Sequence, residues 1–167
     1  MPEMLVEIAK RTDGGAVLRC ARADGTVSWQ RQTGPSAGFF PLHDLTHYAV
    51  ETILGVRDGF FGLVAQGWDI EDTTGKGARG SLPPDAVVVE HLVGFLDVER
   101  ATAAEWSAAD YAEQLASAGV VLSPPMRRVL TDDALARIRE LRRDLFARWM
   151  GVSAGETLQL AFGEHDG

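Results

Sequence analysis

The chain has one cysteine, Cys20, in 167 residues. An intrachain disulfide is therefore impossible, as is a zinc site built from several thiolates. No apolar run approaches the roughly 18 to 20 residues needed to cross a bilayer. The opening residues, Met1-Pro2-Glu3-Met4 with Glu7 beyond them, show no basic-then-apolar signal pattern. These absences lead to the expectation of a cytoplasmic protein with no membrane partner. Basic charge is scarce too: 16 lysines and arginines stand against 24 aspartates and glutamates, a net charge of -8. Nonspecific nucleic-acid binding depends on basic side chains neutralising phosphates, so no nucleic-acid partner is expected. Internal repeats and long low-complexity segments are also missing.

What is present is ordinary globular composition, 46% hydrophobic and 24% charged. A chain of this length can bury a core in a single domain, expected here over residues 1–167. The charge is uneven. Residues 127–148 hold seven arginines against Asp132, Asp133, Glu140 and Asp144. Such a helix could dock on an acidic surface, including that of a second copy, which makes a homo-oligomer one expectation. A solvated face laced with local ion pairs is the other.

The first thirty residues read as a β-meander. Met4, Val6 and Ile8 alternate with Leu5, Glu7 and Ala9, and Asp13-Gly14-Gly15 breaks the run. A second run over 16–22 ends at Asp24-Gly25, and a third covers 26–32 with Val27 and Trp29 on one face. Asp-Gly between such runs signals a hairpin, here expected as a type I′ turn. From Pro41 the period becomes helical, with helices expected over 41–54 and 60–66. Residues 68–84, acidic and then glycine-rich, look the least ordered. The helical period returns at Pro84, with Val87, Val88, His91, Leu92 and Phe95 on the inward face. Ser107 and Asp110 make a capping box for a helix ending near Ala118, and Pro124-Pro125 reads as a separator. Thr131 with Asp132 and Asp133 opens the longest helix, whose stripe is Leu135, Ile138, Leu141, Leu145 and Trp149. Alternation resumes over 156–162, a strand expected to pair with the meander. The class is therefore α+β, an antiparallel sheet of three N-terminal strands and one C-terminal strand packed on about five helices.

The segment with chemical content is Pro41-Leu42-His43-Asp44-Leu45-Thr46-His47-Tyr48-Ala49-Val50-Glu51. At about 100° per residue, His43 and His47 stack one turn apart, the spacing at which two imidazoles chelate one ion. Glu51 continues the same ladder. Leu42, Leu45, Ala49, Ile53 and Val56 form the core arc, which puts the histidines at its edge. The spacing resembles the zincin motif His-Glu-x-x-His, in which two histidines bind zinc and the glutamate activates water. The resemblance covers five residues, Asp44 replaces the glutamate with a shorter carboxylate, and no extended zincin pattern follows. The stretch over 41–59 also resembles a segment of small bacterial proteins of unassigned activity, which implies no mechanism. A phosphohydrolase of the His-Asp type would need a histidine upstream of His43, and there is none.

The reading that results is a divalent-metal protein, a candidate hydrolase, taking zinc, iron or manganese. His43 and His47 are its ligands, Glu51, Glu90 or His91 completes the set, and Asp44 is a general base or an orienting partner. The alternative is a non-enzymatic module that self-associates through the arginine-rich helix or an exposed edge strand. Other features point to structure. Gly75-Lys76-Gly77 lacks P-loop spacing, and Asp69, Glu71 and Asp72 lack EF-hand spacing. Ser36, Ser81 and Ser123 have no nucleophile-elbow context. Cys20 reads as a buried thiol, and the four tryptophans as core or interface residues.

Overall fold

Two tight hairpins organise the N-terminal strands in the computed structural model, which describes residues 1–164. Strand β1 (Met4–Lys10) pairs antiparallel with β2 (Ala16–Arg22), and β2 with β3 (Val27–Gln32). At the second turn only Gly25 has positive φ, 89°, while Arg22 N–H donates to Thr26 and Gly25 N–H to Arg22. This is a three-residue loop ending in a left-handed glycine, not the type I′ turn expected from Asp24-Gly25. Asp24 Oδ1 accepts from Thr26 N–H at 2.9 Å and fixes the loop. Strand β4 (Thr157–Phe162) returns antiparallel beside β1, giving the sheet order β3-β2-β1-β4.

The inner face of the sheet carries Met4, Val6, Ile8, Ala16, Leu18, Cys20, Leu158, Leu160 and Phe162, all buried. Strand β3 departs from the pattern. Its inward positions are Ser28 and Gln32, while Val27 and Trp29 face outward, with Trp29 62% exposed. Trp29 is therefore not a core residue. Polarity faces inward on β3 because its partners there are polar: Ser28 Oγ accepts from Ile70 N–H at 2.9 Å, and Gln32 reaches Asp44.

Among the described residues the chain forms six α-helices: α1 (Phe40–Leu54), α2 (Phe60–Ala65), α3 (Pro84–Thr102), α4 (Ala108–Ser117), α5 (Pro124–Val129) and α6 (Asp132–Met150). Helix α1 lies at the centre, packed against both α3 and α6. Capping follows the sequence signals. Ser107 and Asp110 form a reciprocal box, and Thr131 accepts from Ala134 N–H at 3.1 Å. Each such cap contributes about 1 kcal/mol. Helix α5 is an addition to the expected set: Pro124-Pro125 opens a short helix capped by Ser123 rather than separating two others. Within 68–84 a 3₁₀ turn, Ile70–Thr74, is closed by Asp69 and Asp72, so these acids cap backbone and Ile70 is buried.

Two helix faces differ from expectation. On α3 the buried apolar residues are Ala86, Val88, Val89, Leu92, Val93 and Leu96, which leaves Val87 36% exposed and His91 at the margin. On α6 Leu141 is only partly buried, whereas Arg139 and Arg142 turn inward. Arg139 holds Glu99 through two hydrogen bonds, 2.8 and 3.1 Å, and Arg142 Nη1 donates to the Leu96 carbonyl at 2.9 Å. Among the described residues, no helix is long and apolar enough to cross a membrane.

Candidate metal centre

His43 and His47 project from one side of α1, and the acids of α3 meet them in reverse order. Asp97 Oδ2 lies 3.0 Å from His43 Nδ1, and Glu90 Oε1 lies 3.3 Å from His47 Nε2. The reversal means that the two helices run antiparallel, so residues seven apart on α3 address residues four apart on α1. The His47 side chain is 2% exposed, whereas that of Glu90 is 44% exposed. The pair thus joins the interior to the surface.

Glu51, one turn beyond His47, sits behind it. Its Oε2 is 3.3 Å from His47 Nδ1, and its Oε1 accepts from Gly62 N–H at 3.0 Å. Two glycines permit this. A Cβ at Gly59 would meet the Glu51 carboxylate at 2.4 Å, and one at Gly62 would meet the Arg57 carbonyl oxygen at 2.1 Å. Each imidazole therefore has a carboxylate on Nδ1, Asp97 for His43 and Glu51 for His47, which leaves the Nε2 atoms to the ligand side. Carboxylate–histidine pairs of this kind fix ring orientation and raise the basicity of the free nitrogen.

One donor atom from each of His43, His47 and Glu90 falls within 4.8 Å of the other two. Two donors about 2.1 Å from a shared tetrahedral ion stand about 3.4 Å apart. The separation of His47 Nε2 and Glu90 Oε1 is 3.3 Å, so this pair is already at that spacing. His43, with 28% of its side chain exposed, and Glu90 have room to close the remainder.

The electrostatics favour a cation. Burial pushes the His47 imidazolium toward a lower pKa, but the Glu51 and Glu90 carboxylates outweigh it and lift the value to about 10. Burial raises Glu90, and the His47 contact more than reverses that, so its carboxyl lies below its ordinary value. Asp44 goes the other way. Burial lifts it to about 6 against the opposing hydrogen bond from Gln32 Nε2, 2.6 Å from Asp44 Oδ2.

Of the residues singled out in sequence, the structure brings together His43, His47 and Glu90. Glu51 lies on the opposite ring nitrogen of His47, so it orients that ring and is not placed to share an ion bound at Nε2. His91 Nδ1 is 2.9 Å from the Val87 carbonyl, and its ring lies beside Phe95. That places it outside the trio. Asp44 is turned to β3, where Gln32 holds it. Asp97 is a residue that the sequence reading missed, although its seven-residue spacing from Glu90 puts both on one face of α3. Two phenyl rings flank the imidazoles, Phe39 at 5.2 Å from His43 and Phe60 at 5.4 Å from His47, centroid to centroid. The cavity that Glu51 lines, about 260 Å³ between Tyr48, Arg57 and Phe162, lies elsewhere and includes none of the trio. Neither a protein-family model, nor a curated protein, nor a solved structure matches this chain, and the centre is defined by its geometry.

Proposed function

We propose that the chain binds one divalent metal ion, zinc, iron or manganese, through Nε2 of His43, Nε2 of His47 and the Glu90 carboxylate. The observation that carries this reading is the 3.3 Å approach of His47 Nε2 to Glu90 Oε1, with a carboxylate held on Nδ1 of each histidine. Two imidazoles and one carboxylate suit all three metals and leave coordination positions open to water. An ion so held would lower the pKa of bound water and supply a nucleophile near neutral pH, so the reaction class proposed is metal-assisted hydrolysis. Asp44 takes no ligand role in this scheme, since Gln32 holds its carboxylate on the β3 side.

A second reading comes from the same geometry. A proton on His47 satisfies both carboxylates, and the rise of its pKa to about 10 favours that proton. In that case the trio is a structural ion-pair network. Metal content separates the two. Protein purified without an affinity tag should carry one ion per chain, and His43→Ala should carry none. At a metal concentration a hundredfold above Kd, stabilisation is about 2.7 kcal/mol, a rise in Tm of roughly 5 to 10 °C. Metal-free protein whose Tm is unmoved by zinc, ferrous iron or manganese overturns the metal reading and leaves the ion-pair network.

A further inference from the structure

The surroundings of the trio speak to what can approach it. Among the described residues, every charged side chain within hydrogen-bond distance of the two imidazoles is a carboxylate: Asp97 on His43, Glu51 and Glu90 on His47. Asp44 adds a fourth carboxyl group within electrostatic range of both histidines and of Glu90. A divalent cation would cancel two of these charges, so the occupied centre would keep net negative charge whether or not Asp44 is ionised, and would disfavour anions.

The rim is apolar and aromatic. Phe39, at the N-terminus of α1, is 40% exposed with its ring 5.2 Å from that of His43, tilted by 36°. Phe60, half-buried at the start of α2, stands 5.4 Å from His47. Val87, one turn before Glu90 on α3, is 36% exposed. Large apolar side chains left open beside polar donor atoms mark a surface that gains by being covered.

Resting on the metal reading above, we propose that this centre takes an uncharged ligand that pairs a metal-binding atom with an aromatic ring, the ring lying against Phe39 and Phe60. The carboxylates around the ion disfavour phosphate esters and other dianions as its ligands. Stacked or edge-on aromatic pairs add enough binding energy for a preference of roughly three- to tenfold over the same donor without a ring.

The test uses the full chain loaded with cobalt(II), with cobalt content measured directly and ligand binding read from the visible spectrum. The probes are imidazole, 4-phenylimidazole and phenylphosphonate. The expected result is 4-phenylimidazole binding roughly three- to tenfold tighter than imidazole, with phenylphosphonate the weakest of the three. In Phe39→Ala cobalt content should hold while the phenyl preference falls to about twofold or less, and Phe39→Trp should restore it. Equal binding of the two imidazoles, a preference unchanged in Phe39→Ala, or tight phenylphosphonate binding overturns this inference while leaving the metal site standing. Absence of bound cobalt overturns the metal reading itself, and this inference with it.

Discussion

Asp97 Oδ2 lies 3.0 Å from His43 Nδ1, so the ring of one ligand histidine is set by an acid two turns along α3 from Glu90. Asp97 is a positioning residue in the proposed centre, since it touches the histidine and not the ion. Replacing it with Asn keeps the shape but removes the charge that orients the ring and makes Nε2 basic. Metal affinity in Asp97→Asn should fall by roughly 10- to 100-fold. Competition with a chelating dye measures this, and an unchanged Kd would show that the contact plays no part in metal binding.

Glu90 and Glu51 both contact His47 but should respond oppositely to mutation. Glu90 has an exposed side chain, so Glu90→Gln should cost about 1 kcal/mol or less of stability while sharply reducing metal binding. Glu51 is buried and holds both His47 Nδ1 and Gly62 N–H. Glu51→Ala leaves two buried donors without a partner and should cost about 3 to 5 kcal/mol. Urea denaturation of the metal-free variants checks the stability half of this contrast, and metal titration the other.

The Glu99–Arg139 pair gives a pH dependence with a fixed sign. Burial pushes the Glu99 carboxyl up, but the Arg139 guanidinium and the Trp106 N–H pull it below its ordinary value of 4.5. A depressed carboxyl contributes stability that is present above the unfolded pKa and lost as pH falls through the lower folded value. The wild type should therefore exceed Glu99→Gln in Tm at pH 7, with the gap narrowing as pH falls below about 4.5. A gap constant between about pH 7 and pH 3 would show that the charge on Glu99 is not what Arg139 stabilises.

Local signals carried most of the fold. The alternation in β1, β2 and β4 and the caps at Ser107 and Thr131 are short-range features that tertiary packing had no reason to override. The phase of α3 was not local. Val87-Val88-Val89 offers three consecutive apolar residues, which span most of the helix circumference, and packing against α1 selects Val88 and Val89. Strand β3 turns Ser28 and Gln32 inward for a similar reason, because its inner neighbours Asp44 and Ile70 N–H demand polar partners. The His43–His47 half of the site was visible as a spacing within one helix. Glu90 was one of several possible partners, and Asp97 was hidden because pairing a helix with its neighbour depends on crossing geometry, which a single sequence does not encode as a motif.

The arginine-rich helix also needs a narrower account than its charge count gives. Arg142 is buried with Nη1 on the Leu96 carbonyl, whereas Arg137, Arg143 and Arg148 are exposed. Any self-association through α6 must use the exposed three. Arg142→Glu would set a carboxylate against a buried carbonyl and should destabilise the fold by about 3 to 5 kcal/mol whatever the oligomeric state. Arg143→Glu should leave stability within about 0.5 kcal/mol and weaken only an interface that depends on the basic face. Sedimentation velocity on Arg143→Glu over a range of concentrations therefore tests self-association without the folding defect. A wild-type protein that sediments as a monomer throughout that range would remove α6 as an interface.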